Sequence, residues 1–253
     1  MIYMPRRGGI ILLYATKDYI MIGADEKFSH IEKEIHEDEE WFEDDDQDDD
    51  DDDVEEYIED ENDLDKLTKI GFSSNIAYAC VGACNFTGHN FNISEIIDSI
   101  EFYNEPFATK LNIITEALGP HLKKILSYSI VENFQPVSYV ADGMLLNLVV
   151  VSFEKGKPIC ADIRYQMSIK SSKEAVIDSN VFYHGTSKYL YKSFGQNTAL
   201  KLLEWKNRFF KRLYPQREEL IRALIQIQSV FTPDDVEGPG KVILLTKDEI
   251  KFV

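Results

Sequence analysis

Pairs of short apolar runs, each pair joined by a few polar residues, recur along the whole chain. Runs of this kind, bounded by turn-forming residues, predict β-hairpins. The pairs are residues 9–15 with 19–25, 67–72 with 76–82, 144–153 with 158–165, and 241–246 with 249–253. A further short strand is predicted at residues 181–184.

Between the second and third hairpins, apolar residues recur every three or four positions instead, which predicts helices. The first helix is predicted over about residues 86–103, with Ser94 and Asp98 supplying a cap. The second is predicted from about residue 108 into the 120s, with a kink or break at Gly119-Pro120 because proline removes a helical hydrogen bond. Two later helices are predicted at about residues 186–214 and 215–231.

The order of these elements is strands, two helices, strands, two helices, strands, and it predicts an α+β protein. Two hairpin-rich sheets packed face to face, with a helix pair on each outer surface, would bury every apolar face. We expect residues 1–253 to form a single domain of this four-layer αββα kind. An insertion at about residues 33–62 interrupts it.

Acidic residues are concentrated in and around that insertion. Residues 37–65 contain 21 acidic residues and no Lys or Arg, in a chain whose net charge is −18. The rest of the chain holds 24 acidic and 27 basic residues, so it is close to neutral. So much like charge with so few apolar residues does not fold alone, and we expect a mobile segment. Its candidate residues for binding a basic protein partner are Asp44, Asp45, Asp46, Asp48, Asp49, Asp50, Asp51, Asp52 and Asp53.

The cysteines, histidines and clustered aspartates of this sequence do not have the spacing of a known type of metal site. Cys80, Cys84 and Cys160 are an odd number of thiols, and they are predicted to be buried and free in a reducing compartment. None of the five histidines forms an i, i+4 pair, and the aspartate run lacks the glycine and spaced ligands of a calcium loop. We expect no metal and no cofactor.

His184 precedes the small polar segment Gly185-Thr186-Ser187. A Ser-His-Asp hydrolase site needs an acidic residue that orients the imidazole, and no nearby motif supplies one. We therefore predict that His184 is a turn residue capping a helix that begins near Thr186.

The first hairpin, GIILLYATKDYIMIGAD, is an apolar strand, a turn and a second strand that ends on Asp25. It resembles the first strand pair of the β-type subunits of the proteasome, which are N-terminal-nucleophile (Ntn) hydrolases, and further segments resemble the same family. KLTKIGFSSNIAYACVGACN resembles the lysine-bearing strand and its successor, with Lys69 at the catalytic lysine position when one residue is gapped. FYHGTSKYLY resembles the turn into the family's third helix, and DDVEGPGKVILLTKDEI resembles the closing aspartate, Asp235, with the final hairpin. The resemblance covers nearly all of the chain outside the acidic insertion, and it implies the Ntn sandwich and assembly into a ring.

The resemblance also implies that this chain is inactive. The family's nucleophile is a hydroxyl or thiol on the first residue of the mature chain, whose amine accepts the proton. The aligned residue here is Gly9, and the first 15 residues contain no Ser, Thr or Cys. A supporting serine of the family aligns with Gly238. We expect a vestigial site of Gly9, Asp25, Lys69 and Asp235, in which Asp25 and Lys69 form a buried ion pair.

The leading hypothesis is a noncatalytic proteasome-like subunit with a structural, assembly or regulatory role in a homo- or hetero-oligomeric ring. One alternative is an amide or peptide hydrolase with a relocated nucleophile such as Thr16, Cys80 or Ser187. Another is a stand-alone binding protein that engages a basic partner through its acidic segment.

The apolar stretch at residues 145–151 is far shorter than a membrane span. We expect a cytoplasmic protein, also nuclear if eukaryotic, without a membrane or nucleic-acid partner.

Overall fold

The structure is a computed structural model that describes residues 9–26, 68–82, 84–86, 91–131, 144–171, 174–184, 189–195, 216–233 and 236–253. Within these ranges the chain is an α+β protein with two five-stranded antiparallel sheets, a two-stranded ribbon and three helices. The predicted acidic insertion, with its aspartates at 44–46 and 48–53, lies outside the described residues, as do Ser187 and Asp235.

The first sheet has the order β10-β1-β2-β11-β12, made of β1 (Ile10–Thr16), β2 (Tyr19–Ala24), β10 (Tyr189–Gly195), β11 (Lys241–Thr246) and β12 (Ile250–Phe252). The second has the order β3-β4-β7-β8-β9, made of β3 (Ile70–Ser73), β4 (Ile76–Gly82), β7 (Met144–Glu154), β8 (Lys157–Ser171) and β9 (Glu174–His184). The ribbon pairs β5 (Asn85–Phe86) with β6 (Phe91–Asn92). The helices are α1 (Ile93–Asp98), α2 (Phe107–Val131) and α3 (Arg217–Phe231).

The four hairpins predicted from the sequence are confirmed. Two of them use the same turn, since Thr16-Lys17-Asp18 and Thr246-Lys247-Asp248 have the same sequence. In each turn the threonine hydroxyl oxygen accepts the backbone N–H groups two and three residues further on, at 3.0–3.3 Å. This side-chain acceptor fixes the chain reversal locally.

Three clusters of buried side chains form the core between the sheets and helices. One lies between the second sheet and helices α1 and α2. The next contains side chains from both sheets, including Leu13 and Ile22 from the first and Ala79 and Val149 from the second. The last lies between β1, β11 and α3. The alternation of side chains along β1 divides it between two clusters, with Ile11 and Leu13 on one face and Ile10 and Leu12 on the other.

The first helix is much shorter than the prediction of residues 86–103, and its predicted cap was wrong. Asn92 is the N-cap, and its side-chain oxygen accepts the N–H groups of Ser94 and Glu95. Because an N-cap has extended backbone, the residues before it are free to pair as the ribbon β5–β6.

Of the kink or break predicted at Gly119-Pro120, the break is contradicted, because α2 continues through these residues. Its buried residues Leu111, Ile114, Leu118 and Leu122 keep one apolar face across the proline. Pro120 itself is exposed, so water can satisfy the carbonyl group that loses its helical partner.

The predicted helix over residues 186–214 is contradicted at Tyr189–Gly195, which is strand β10. It pairs with the whole of β1, from Ile10 opposite Gly195 to Thr16 opposite Tyr189. Pairing with β1, whose residues are 173–185 positions away in the sequence, outweighs the local preference here. Strand β9 is correspondingly longer than the predicted 181–184.

None of the described helices is both long and apolar enough to cross a membrane.

Candidate functional site

Asp25 and Lys69 meet in the interior, as the sequence predicted. Lys69 Nζ lies 2.9 Å from Asp25 Oδ2, and their side chains are 3% and 0% exposed. The other carboxylate oxygen, Asp25 Oδ1, accepts the backbone N–H of Ile10 at 2.8 Å. Asp25 therefore links the first residue of β1 to the lysine that precedes β3.

Gly9 lies directly against this ion pair. A Cβ atom built on Gly9 would be 3.3 Å from both Asp25 Oδ1 and Lys69 Nζ, and 3.0 Å from Val81 Cγ1. A side chain at position 9 would thus be aimed at the two charges. The φ angle of Gly9 is +144°, a conformation that residues with a Cβ rarely adopt. The backbone at position 9 therefore has a conformation that favours glycine. Because glycine has no side chain, no hydroxyl or thiol at this position faces Asp25 and Lys69.

A second glycine allows the chain to close around the first. Gly195, at the end of β10, has φ of +78°, and a Cβ there would lie 2.3 Å from the Gly9 carbonyl oxygen. That separation is far inside van der Waals contact, so only glycine fits. Gly195 was not among the residues predicted to belong to the site. Its signal was a glycine ending an alternating strand, which often marks a close approach of two backbones.

The two charged residues are held at the ends of strands from different sheets. Asp25 follows β2, and its N–H donates to the carbonyl oxygen of Ile10. Lys69 precedes β3, and its carbonyl oxygen accepts the N–H of Cys80 at 2.8 Å. The ion pair therefore joins the two sheets across the buried layer between them.

Two of the three candidates for a relocated nucleophile, Thr16 and Cys80, lie within the described residues. Neither has the surroundings of an activated nucleophile. Thr16 is at the opposite end of β1 from Gly9, roughly 20 Å away at the rise of a strand. Its hydroxyl is engaged in the hairpin turn. Cys80 is fully buried, and burial first, then the neighbouring Cys84 thiol, raises its pKa well above the usual value. A thiol that stays protonated is a poor nucleophile.

The remaining predicted residues lie elsewhere. A Cβ on Gly238 would meet the side chain and backbone of Gln226 on α3, so the nearest groups to this glycine are not those of the ion pair. Cys80, Cys84 and Cys160 are buried and free, as predicted. Among the described residues, no group of three or more His, Cys, Asp or Glu side chains is arranged to hold a metal ion.

The prediction for His184 was wrong in two respects. His184 is the last residue of β9 rather than a turn residue capping a helix. It also has an orienting acid, because its Nε2 is hydrogen-bonded to Asp162 Oδ1 on the adjacent strand β8. The overlooked signal was Asp162, a charged residue in the middle of the apolar run that forms β8. Its side chain is wholly buried.

No protein-family model matches this sequence, and no curated protein matches it either.

Proposed function

We propose that this chain is a noncatalytic subunit of the proteasome-like Ntn type, with a structural, assembly or regulatory role in a ring-type oligomer. The finer fold that goes with this proposal is the four-layer αββα sandwich. The three buried clusters support it, since two sheets share one of them and each sheet shares another with helices. The short joins of the four hairpins agree with the resemblance noted in the sequence.

The single observation that supports the proposal most is the position of Gly9. A charged pair suited to activating a nucleophile is present, with its two groups 3.3 Å from the place where a Cβ at position 9 would be. The residue that would carry the hydroxyl has no side chain. An ion pair of this kind remains useful without catalysis, because removing one partner leaves the other buried at a cost of about 3–5 kcal/mol.

The test is the mass of the full chain in solution, isolated from the cells that make it, with a peptide-hydrolysis assay on the same chromatographic peak. We expect a particle of several hundred kilodaltons without hydrolysis of its own, against 29.2 kDa for one chain. A particle of one chain would contradict the ring. It would favour the binding protein that uses the acidic segment, whose capture of a basic partner should weaken as salt rises.

Hydrolysis in the peak is assigned by three variants, Thr16→Ala, Cys80→Ser and Ser187→Ala. Loss of activity in any one of them, with the mass of the particle unchanged, would establish a relocated nucleophile and refute the noncatalytic role. Activity unchanged in all three, and lost on a further purification step, belongs to a contaminant or to a partner subunit.

A further inference from the structure

A second buried polar cluster lies in the layer between the two sheets, and it has no part in the site at Gly9. Asp162 on β8 is wholly buried, and the side chain of His184 at the end of β9 is 7% exposed. His184 Nε2 is hydrogen-bonded to Asp162 Oδ1, and Lys192 Nζ on β10 lies 2.7 Å from His184 Nδ1. Strands β8 and β9 belong to one sheet and β10 to the other, so this chain of hydrogen bonds crosses from sheet to sheet.

The partners of His184 fix its protonation state. A lysine ammonium has three donors and no acceptor, so His184 Nδ1 must accept the hydrogen bond from Lys192. The other nitrogen, Nε2, then carries the single ring proton and donates it to the Asp162 carboxylate. This arrangement exists only with a neutral imidazole.

A second proton on His184 would face a cation, and only Asp162 would offset part of this repulsion. It would place an N–H on Nδ1, facing the Lys192 ammonium across 2.7 Å. Asp162 is the anion in contact with His184, and its other oxygen is already 2.5 Å from Arg164 Nε. Cys160, opposite His184 on β8, remains neutral because burial raises its pKa to about 12. Burial lowers the pKa of His184 itself, and the cations Lys192 and Arg164 add to this, while Asp162 opposes it.

We propose that Asp162, His184 and Lys192 form a pH-sensitive latch between the two sheets, closed while His184 is neutral and weakened when it is protonated. Because the folded state disfavours the proton, the contribution of the latch is fully present above the ordinary pKa of histidine, about 6.5, and declines as pH falls. The strand held by the latch is β10, which also supplies Gly195 beside Gly9.

The test compares urea unfolding midpoints at pH 7.5 and 5.5 for the natural chain, His184→Gln and Lys192→Met. Glutamine offers one acceptor to Lys192 and one donor to Asp162, yet it does not titrate. We expect the midpoint of the natural chain to fall between the two pH values by more than that of His184→Gln. Lys192→Met should also show a smaller fall, because the protonated ring then faces Asp162 without a second cation. Equal falls in the natural chain and His184→Gln would overturn the proposal.

Hydrogen exchange in the natural chain tests the same idea if a variant fails to fold. After correction for the intrinsic pH dependence of exchange, protection of β10 should drop by up to about tenfold between pH 6.5 and 5.5. Strand β7, in the middle of the second sheet, is the internal control. Protection that falls by the same factor in β7 and β10, or in neither, would refute the latch.

Discussion

The buried pair Asp25–Lys69 allows the sharpest test of how the interior is held together. Lys69→Met keeps the length of the side chain and removes its charge. Asp25→Asn keeps the shape and the acceptor for the Ile10 N–H, and it removes the negative charge. Because both side chains are almost completely buried, each substitution removes one charge of the pair while the other charge stays in the interior. We expect each to lower the free energy of unfolding by about 3–5 kcal/mol.

The double variant Asp25→Asn/Lys69→Met removes both charges together. Its cost should be well below the sum of the single costs, with a coupling energy on the order of 3 kcal/mol. The control is the pair Glu26–Lys241, whose N···O distance is 3.4 Å and whose side chains are 40% and 44% exposed. Lys241→Met should cost less than about 1 kcal/mol, because water screens an exposed pair.

Urea unfolding measures all of these variants, with a constant slope as the check that the same transition is compared. Strictly additive single costs would show that the two charges do not act as a pair. So would single costs as small as that of Lys241→Met.

Three further predictions follow from the geometry. Gly9→Ala should lower the free energy of unfolding by about 1–3 kcal/mol, because the φ angle of Gly9 is +144°. Gly119→Ala should instead raise it by about 0.5–1 kcal/mol, because Gly119 lies inside α2 with open space around an added Cβ. Equal effects of the two substitutions in urea unfolding would show that the φ angle at Gly9 carries no strain. Pro120→Ala should also stabilise, since it restores a helical hydrogen bond on an exposed face, and a loss of stability would show that the proline has a packing role. The thiols of Cys80 and Cys160 should react with a thiol reagent at pH 8 at least roughly 100-fold more slowly in the native protein than in denaturant. The reason is that burial raises the pKa of both thiols. Reaction rates in the native protein close to those in denaturant would contradict their burial.

Local patterns predicted the parts of the fold that depend on neighbouring residues. Each hairpin is specified by two apolar runs and the polar turn between them, and Thr16 and Thr246 close their turns with their own hydroxyls. The pairing of Asp25 with Lys69 was predicted from the resemblance of two such hairpins to a known family. Periodicity alone would not have indicated that residues 44 positions apart are in contact.

The errors came where distant residues decide the structure. Strand β10 is set by β1, and Asn92 ends an extended segment that the predicted helix over residues 86–103 had included. The contact between Asp162 and His184 joins positions 22 residues apart on neighbouring strands. Its partner Lys192 comes from the other sheet, so no local motif could have revealed the cluster.

The meeting of Asp25 and Lys69 also bears on how such a protein evolves. The described chain stops at residue 26, two residues after β2, and resumes at residue 68 beside the same ion pair, so the ends of a 41-residue stretch are held together by buried contacts. The entropic cost of closing a loop grows only with the logarithm of its length, and doubling the length adds about 0.6 kcal/mol. The buried contacts of Asp25 and Lys69 fix these two ends, so we expect this junction to tolerate insertion and deletion. A lineage is free to lengthen, shorten or recharge the stretch between residues 26 and 68 while the two sheets stay joined.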